Sequence, residues 1–242
     1  MVNMKITIIT ATYNSASTVR DTLESVACQG YHPIEHIIVD GLSIDNTLDI
    51  VKEFPHVAQV VSEKDMGIYD AMNKGVRLAT GEVVGILNSD DFYDNQGVIS
   101  QVMTAFNDPL VDVVYGDLQY VKKNDVYVVT RNWKSGQYKR RYFYYGWMPP
   151  HPAFFVRRKI YDEVGLFNTD LRSAADYEMM LRILVRNNAS ASYIPNVLVK
   201  MRSGGMSNAS LKNRLRANRE DRKAWAMNDL KPFFYDLAQT HA

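Results

Sequence analysis

The stretch Glu82-Val83-Val84-Gly85-Ile86-Leu87-Asn88-Ser89-Asp90-Asp91 (EVVGILNSDD) decides how the rest of the chain is read. A short apolar run, Val83 to Leu87, stops at a polar cluster with two adjacent carboxylates, Asp90 and Asp91. The pattern predicts a buried strand. Such a strand carries negative charge to the carboxyl edge of a sheet, where open α/β proteins bind ligands. Adjacent carboxylates repel each other and resist desolvation unless a cation or hydrogen-bond donors share the site. Hard divalent cations take oxygen ligands and commonly bring phosphates with them. The alternative is a plain turn, since Asn, Ser and Asp also favour turns through local hydrogen bonds.

Upstream, β-then-α units repeat. Lys5–Thr10 is a β-branched run, and a helical pattern starts at Ser17, runs through Val19, Leu23 and Val26, and stops at Gly30. Ile34–Asp40 predicts a second strand, with a helix from about Asp45 to Phe54 and a shorter third strand at Ala58–Val61. Ile68, Ala71, Met72, Gly75, Val76 and Ala79 recur at helical spacing before Gly81. Alternating strands and helices imply an α/β fold with a mainly parallel sheet covered on both faces. Beyond a helix over Gly97–Asn107 the pattern changes. Val111–Tyr115 reads as a strand, and Leu118–Tyr120 with Val126–Thr130 as a hairpin. A helix around Asp176–Arg186, short strands at Ser192–Ile194 and Val197–Met201, and a basic helix from about Ser210 follow. The 242 residues are read as one domain. Its nucleotide-binding half ends near residue 95, an acceptor and catalytic half near 205, and the basic helix occupies about 206–242.

Composition excludes several classes. A hydrophobic content of 46% with 23% charged residues is ordinary for a globular chain, and a net charge of +1 gives no global case for nucleic acid. One cysteine, Cys28, allows no internal disulfide and fits a reducing compartment. The first ten residues are too short and strand-like for a signal peptide, and no apolar run approaches the ~20 residues of a membrane helix. The expected location is the cytoplasm. Peripheral contact with the inner face of the membrane is the further expectation.

Three predicted strand ends carry polar residues: Thr10-Ala11-Thr12-Tyr13-Asn14, then Asp40-Gly41-Leu42-Ser43-Ile44-Asp45-Asn46-Thr47, then Asn88, Asp90 and Asp91. In a parallel sheet these share one edge, so the acids converge on one crevice. Asp40 is placed to accept from a base or ribose, while Asp45 and Thr47 read as helix caps. No glycine lies between Thr10 and Ser17 and no Walker A pattern occurs, which argues against dinucleotide and P-loop chemistry. A chain without a backbone phosphate cradle needs another way to neutralise a diphosphate, and a metal on Asp90 and Asp91 supplies one.

The ordered strings TATYN, VDGLSIDNT, SEKDMGIYDAMNKG and GEVVGILNSDD, then His-Pro-Ala-Phe at His151 and SAADYEMMLR around Asp176, resemble the successive motifs of glycosyltransferase family 2. The resemblance covers roughly Lys5 to Met206. It implies the GT-A fold, a three-layer α/β sandwich about a mainly parallel sheet. It also implies an enzyme moving a sugar from a nucleotide-diphosphate donor, uridine being the default base, to a saccharide or lipid-linked acceptor, in surface polysaccharide or glycolipid assembly. By the same resemblance Thr10, Ala11 and Tyr13 border the base and ribose, Asp40 contacts the nucleoside, and Asp65 bonds the base edge with Lys74 nearby. The D-x-D of the family stands here as Asn88-Ser89-Asp90, so its first acid is replaced. Asp90, then Asp91, are the expected ligands of Mn2+ or Mg2+. The replacement at Asn88 keeps open a nucleotide-sugar-binding protein without turnover; a nucleotidyltransferase is the remaining alternative.

Displacement at an anomeric carbon needs a stabilised leaving diphosphate and a base for the incoming hydroxyl. Asp176, at a predicted helix start, is the candidate base, with Glu178 as rival; it aligns with the second residue of the family's Glu-Asp motif, whose first is Ala175 here. His151 is read as a metal or phosphate ligand, or as a structural histidine. Arg202, at the head of Arg202-Ser203-Gly204-Gly205-Met206-Ser207, is read as an arginine that a mobile loop closes onto the diphosphate. Lys139, Arg140 and Arg141 with Tyr142, Phe143, Tyr144, Tyr145 and Trp147 form one basic-aromatic stretch. Lys212, Arg214, Arg216, Arg219, Arg222 and Lys223 with Trp225 form another. Both suit an anionic membrane surface, or a core-facing stripe with a solvated charged face.

Overall fold

The computed structural model describes residues 4–204 and 211–232, with the backbone alone for 211–218. The β-branched runs form β1 (Ile6–Thr12), β2 (Ile34–Asp40), β3 (Val57–Ser62) and β4 (Val83–Ile86), separated by α1 (Val19–Ala27), α2 (Thr47–Lys52) and α3 (Ile68–Leu78). These four strands are mutually parallel in the order β3-β2-β1-β4. After β4 come β5 (Asp91–Tyr93), α4 (Val98–Ala105), β6 (Val113–Lys122), β7 (Asp125–Trp133), β8 (Phe154–Arg157), α5 (Arg158–Val164), α6 (Ala175–Met180), β9 (Ala191–Arg202) and α7 (Leu211–Met227). The nine strands make one sheet, β3-β2-β1-β4-β8-β6-β9-β5, with β7 beside β6. Strands β5, β7 and β8 run against the other six, so the sheet is mixed but mostly parallel.

Both faces are covered, which makes three layers. Alternate residues of one strand enter different cores, as the two-residue period of a strand requires. Ile9 and Ala11 pack with α3, α6 and Trp225, while Ile6 and Ile8 pack with α4. Helix α3 lies close against β1 because position 75 lacks a side chain. A Cβ there would sit 2.3 Å from Ile9 Cγ2.

The second half departs from its sequence reading in several places. The segments at Val111–Tyr115 and Leu118–Tyr120 are one strand, β6, bent by a register shift at Gly116/Asp117. The two short strands after residue 190 are likewise the single β9. Strand β8 was not foreseen. It is four residues long, and its apolar run Phe154-Phe155-Val156 offers no alternation to read. The helix at Asp176 begins as α6 and continues as a π turn, Leu181–Arg186.

The aromatic stretch is mostly internal. Phe143 is buried, Trp147 Nε1 donates to Ser135 O (2.7 Å), and Tyr144 lies 4.8 Å from the Trp225 ring. Lys139 and Arg141 stay exposed on either side of Tyr142. In α7, Arg219, Arg222 and Lys223 are exposed, while Trp225 is buried and donates to the Tyr177 hydroxyl (2.8 Å). The calls on Lys212, Arg214 and Arg216 fall on side chains outside the described set. Among the described residues no helix is long and apolar enough to cross a membrane.

A buried histidine relay joins β1 to β2 and the turn before β3. Thr10 Oγ1 shares a 3.0 Å hydrogen bond with His36 Nε2, and His36 Nδ1 shares another with His56 Nε2 (3.0 Å). Burial, with His56 beside it, holds the His36 imidazole down at about 3 against 6.5 in the unfolded chain. The unfolded chain therefore takes up a proton below pH 6.5 that the native state refuses, and stability falls as pH drops from there toward 3. Urea unfolding should show a loss of about 2 kcal/mol between pH 8 and pH 5 from this group. The variant His36→Gln should be less stable at pH 8 but flatter across that interval.

Candidate active site

The loops after β1 and β2 form one hydrogen-bonded unit. Asn14 N–H donates to Ser43 Oγ (2.8 Å) and Ile44 N–H to Asn14 Oδ1 (2.9 Å). Ser15 N–H donates to Thr47 Oγ1 (2.8 Å), and Asp45 accepts from Ala16 N–H (3.1 Å) and Thr47 N–H (3.0 Å). Asp45 and Thr47 thus fasten α2 to the first loop. Asp40 anchors the unit from beneath. Its fully buried carboxylate accepts from Ser43 N–H (3.0 Å), Ser43 Oγ (2.5 Å) and Ser62 Oγ (2.7 Å). That corrects its expected role as a nucleoside contact, because both oxygens are already occupied. Thr10 and Ala11 are corrected too. Strand β1 runs on to Thr12, so both are buried within it, and the Thr10 hydroxyl is taken by His36.

Above this platform Tyr13 and Asp65 meet at Gly41. A Cβ on residue 41 would lie 2.6 Å from Asp65 Oδ2 and 3.4 Å from the Tyr13 ring. The absent side chain lets the Asp65 carboxylate and the exposed Tyr13 ring close directly against the backbone at Gly41. Asp65 Oδ1 accepts from Gly67 N–H (2.9 Å), while Oδ2 accepts no hydrogen bond among the described residues. Lys74 holds this loop in place. Its ammonium donates to Lys64 O (2.8 Å) and pairs with Glu63 (3.0 Å) and Asp70 (3.6 Å). Its three partners are all in the loop or α3, so it supports Asp65 instead of reaching a ligand.

The turn after β4 separates the two adjacent acids. Asp91 opens β5, and successive strand residues point to opposite sides. Asp90 stays partly exposed, while Asp91 is fully buried and accepts from Asn88 Nδ2 (3.2 Å). Burial, with the Asp90 charge close by, pushes the Asp91 carboxyl well above the usual carboxylate range. Asp91 therefore lies beneath the open side of the turn. The turn's backbone is gripped from below. Thr22 Oγ1 donates to Asp91 O (2.7 Å), Ser15 Oγ and Ser89 Oγ lie 2.9 Å apart, and Arg202 Nη1 donates to Asp90 O (2.6 Å). The Arg202 guanidinium also pairs with Asp21 and stacks on Phe92, 5.2 Å from its centroid. Arg202 is therefore a buried brace at the end of β9, not an arginine on a closing loop; Gly205, Met206 and Ser207 lie outside the described residues.

The Asp90 carboxylate itself accepts no hydrogen bond among the described residues. Three side-chain oxygens on the same edge, Thr12 Oγ1, Asn88 Oδ1 and Asp91 Oδ1, are buried without a partner. Among the described residues no three His, Cys, Asp or Glu side chains come together as a metal cage. Mg2+ and similar hard ions seldom use one; they take one or two carboxylates, waters and substrate phosphates. A lone, unpaired Asp90 fits that requirement. His151 does not join it. Its ring packs edge-on against Phe167 (5.7 Å), burial pushes the imidazole down, and the charged group that acts on it is Asp176.

Asp176 lies in the first turn of α6. Its Oδ1 accepts from Tyr177 N–H (2.9 Å) and from the Tyr69 hydroxyl (3.1 Å), while Oδ2 accepts nothing among the described residues. Glu178, the rival, is buried and committed to Arg182 (2.8 Å) and Asn228 (3.0 Å). Sequence reasoning missed Tyr69 and Asn73. Both sit on α3 and reach the second half. Asn73 Nδ2 donates to Phe167 O (2.8 Å) and accepts from Phe167 N–H (2.9 Å). Their only sequence signal was membership in the string Gly67–Asn73. The acid Asp221 of α7 was also missed; burial and the charges of Asp176 and Glu220 push it up to about 7.

The model of the family described as glycosyl transferase family 2 matches residues 7–165. The chain belongs to glycosyltransferase family 2. This family 2 enzyme is 30% identical over 207 residues to the PGL/p-HBAD biosynthesis glycosyltransferase of Mycobacterium bovis, covering 83% of this chain and 78% of that one. Among solved structures it resembles S. aureus TarS 1-349 in complex with UDP-GlcNAc (TM-score 0.72, 21% identity, 95% of this chain and 68% of that one). It also resembles the mannosyltransferase PcManGT of Pyrobaculum calidifontis in complex with GDP-Man and Mn2+ (TM-score 0.67, 23% identity, 94% and 64%). These likenesses identify the fold as GT-A, and the activity class of the family is glycosyl transfer.

The geometry separates brace from ligand in a measurable way. Arg202→Met removes two charge-assisted bonds but leaves Asp21 half-exposed and solvated, so urea unfolding should show a loss of about 1–3 kcal/mol. Asp90→Asn should change stability by less than about 0.5 kcal/mol, because no described group depends on that carboxylate.

Proposed function

We propose that the chain transfers a sugar from a nucleotide-diphosphate donor, a UDP-sugar first, to an acceptor hydroxyl with inversion at the anomeric carbon. The observation that carries this reading is the Asp176 carboxylate, oriented through one oxygen and open at the other. A base must present a lone pair to the hydroxyl proton as the new bond forms, and Oδ2 is free to do so. With one such carboxylate on the acceptor side, attack comes opposite the leaving group, so an α-linked donor yields a β-linked product.

The donor end follows from the same edge. Tyr13 offers a ring face and Asp65 Oδ2 an acceptor for a base N–H, and both lie against the bare backbone of Gly41. Asp90 is the residue that would hold Mg2+ or Mn2+. When bound, such an ion offsets the charge of the departing diphosphate. A relative named for PGL/p-HBAD biosynthesis supports an acceptor in surface polysaccharide or glycolipid assembly. The exposed Arg219, Arg222 and Lys223 suit peripheral contact with an anionic membrane surface.

Thermal unfolding with a panel of nucleotide diphosphates, with and without manganese, tests the donor end. The matching nucleotide at a hundredfold its dissociation constant should stabilise by about 2.7 kcal/mol; no response to any nucleotide would sink the reading. Asp176→Asn should lower transfer by about a thousandfold or more while that nucleotide-induced shift persists.

A further inference from the structure

We infer that Tyr69 is the positioning residue for Asp176: its hydroxyl fixes which carboxylate oxygen faces the acceptor and ties that orientation to the donor-side loop. The inference rests on the reading of Asp176 as the base and deepens it. Tyr69 belongs to the first turn of α3, two residues after Gly67, whose N–H is held by Asp65. It crosses from the nucleotide half to α6, where its O–H donates to Asp176 Oδ1 at 3.1 Å. The ring is fixed independently. It stacks on Phe167 (5.9 Å), and Phe167 is clamped to α3 by the paired Asn73 bonds.

The chemistry follows from which oxygen is satisfied. With Oδ1 holding two donors, rotation about the Cβ–Cγ bond would break both, so Oδ2 is the oxygen left for the acceptor. A hydroxyl that donates to a carboxylate favours its ionised form. The groups facing Asp176 are Tyr69 from α3, His151 from the segment before β8, and Asp221 from α7. Of these, Tyr69 alone donates to the carboxylate. Burial raises the phenol well above its ordinary range, so it remains a donor at every working pH. Because Tyr69 and the Asp65 loop share one helix start, a nucleotide seated at Asp65 and the base at Asp176 are held by the same turn.

Tyr69→Phe keeps the ring and removes the hydroxyl. With the donor found by the nucleotide panel, kcat should fall about tenfold or more, the donor KM should stay within about twofold, and the acidic limb of kcat should move to higher pH. The Asp176 carboxyl carbon, followed by NMR titration in wild type and variant, should move the same way without any need for turnover. An unshifted Asp176 titration would overturn the inference, as would a variant that loses only thermal stability with kcat and the acidic limb intact. Failure of the underlying reading looks different: wild-type protein would give no transfer, or Asp176→Asn would retain it.

Discussion

The turn between β4 and β5 is the constraint on which the rest of the site depends. It must place one carboxylate in the open while the backbone around it turns through the protein interior. Buried peptide groups cannot be left unpaired without a penalty of roughly 1–3 kcal/mol each, so partners are recruited from distant parts of the chain. Thr22 comes from α1 and Arg202 from the far end of β9, while Ser15 of the first loop meets the Ser89 side chain. The requirement explains why a full-length arginine is buried at the edge of the sheet: its guanidinium reaches the Asp90 carbonyl and Asp21 together. It also ties the two halves of the chain together, since β9 belongs to the second and the turn to the first.

A second set of bonds does the same on the opposite face. Helix α3 reaches the acceptor half through Tyr69 and Asn73, and the Asn73 amide uses both its donor and its acceptor on one residue, Phe167. A two-way amide clip fixes both distance and orientation, which a single bond would not. Donor-side and acceptor-side groups are thus held by α3 in front and β9 behind. The intervening sheet is the stiff element, close-packed on both faces.

Much of this was legible in the sequence. The parallel half was, because β-branched runs alternating with an amphipathic period leave little choice of fold, and β1 to β4 with α1 to α3 appear where the spacing puts them. The position of Asp176 at a helix start was equally legible. The boundaries of strands were not. Extending β1 by two residues moved Ala11 and Thr12 from the loop into the core. The fate of Asp91 depended on a three-residue strand whose pairing partner, Met201, is 110 residues away; a local reading has no access to such a contact. Arg202 was misread for the same reason, since a following Ser-Gly-Gly suggests a mobile loop while its guanidinium is fixed by long-range partners.

What divides the acids of this chain is how many of their lone pairs the fold has already used. Asp40, Asp45 and Glu178 accept at both oxygens, from serines, backbone amides or an arginine, and each is thereby a structural part of its loop or helix. Asp65 and Asp176 each accept at one oxygen and present the other, and Asp90 presents its whole carboxylate. A carboxylate ionised near a sheet edge keeps its solvation there at modest cost, and the neighbouring bonds fix its direction without satisfying it. Sequence motifs cannot make that distinction, because Asp40 and Asp65, or Asp90 and Asp91, are chemically identical residues in equally acidic strings. The count of donors around each oxygen does, and it singles out Asp65, Asp90 and Asp176. Sugar transfer from a nucleotide diphosphate asks for that same division: an acceptor for a base edge, an anchor for a cation, and a lone pair for a hydroxyl proton.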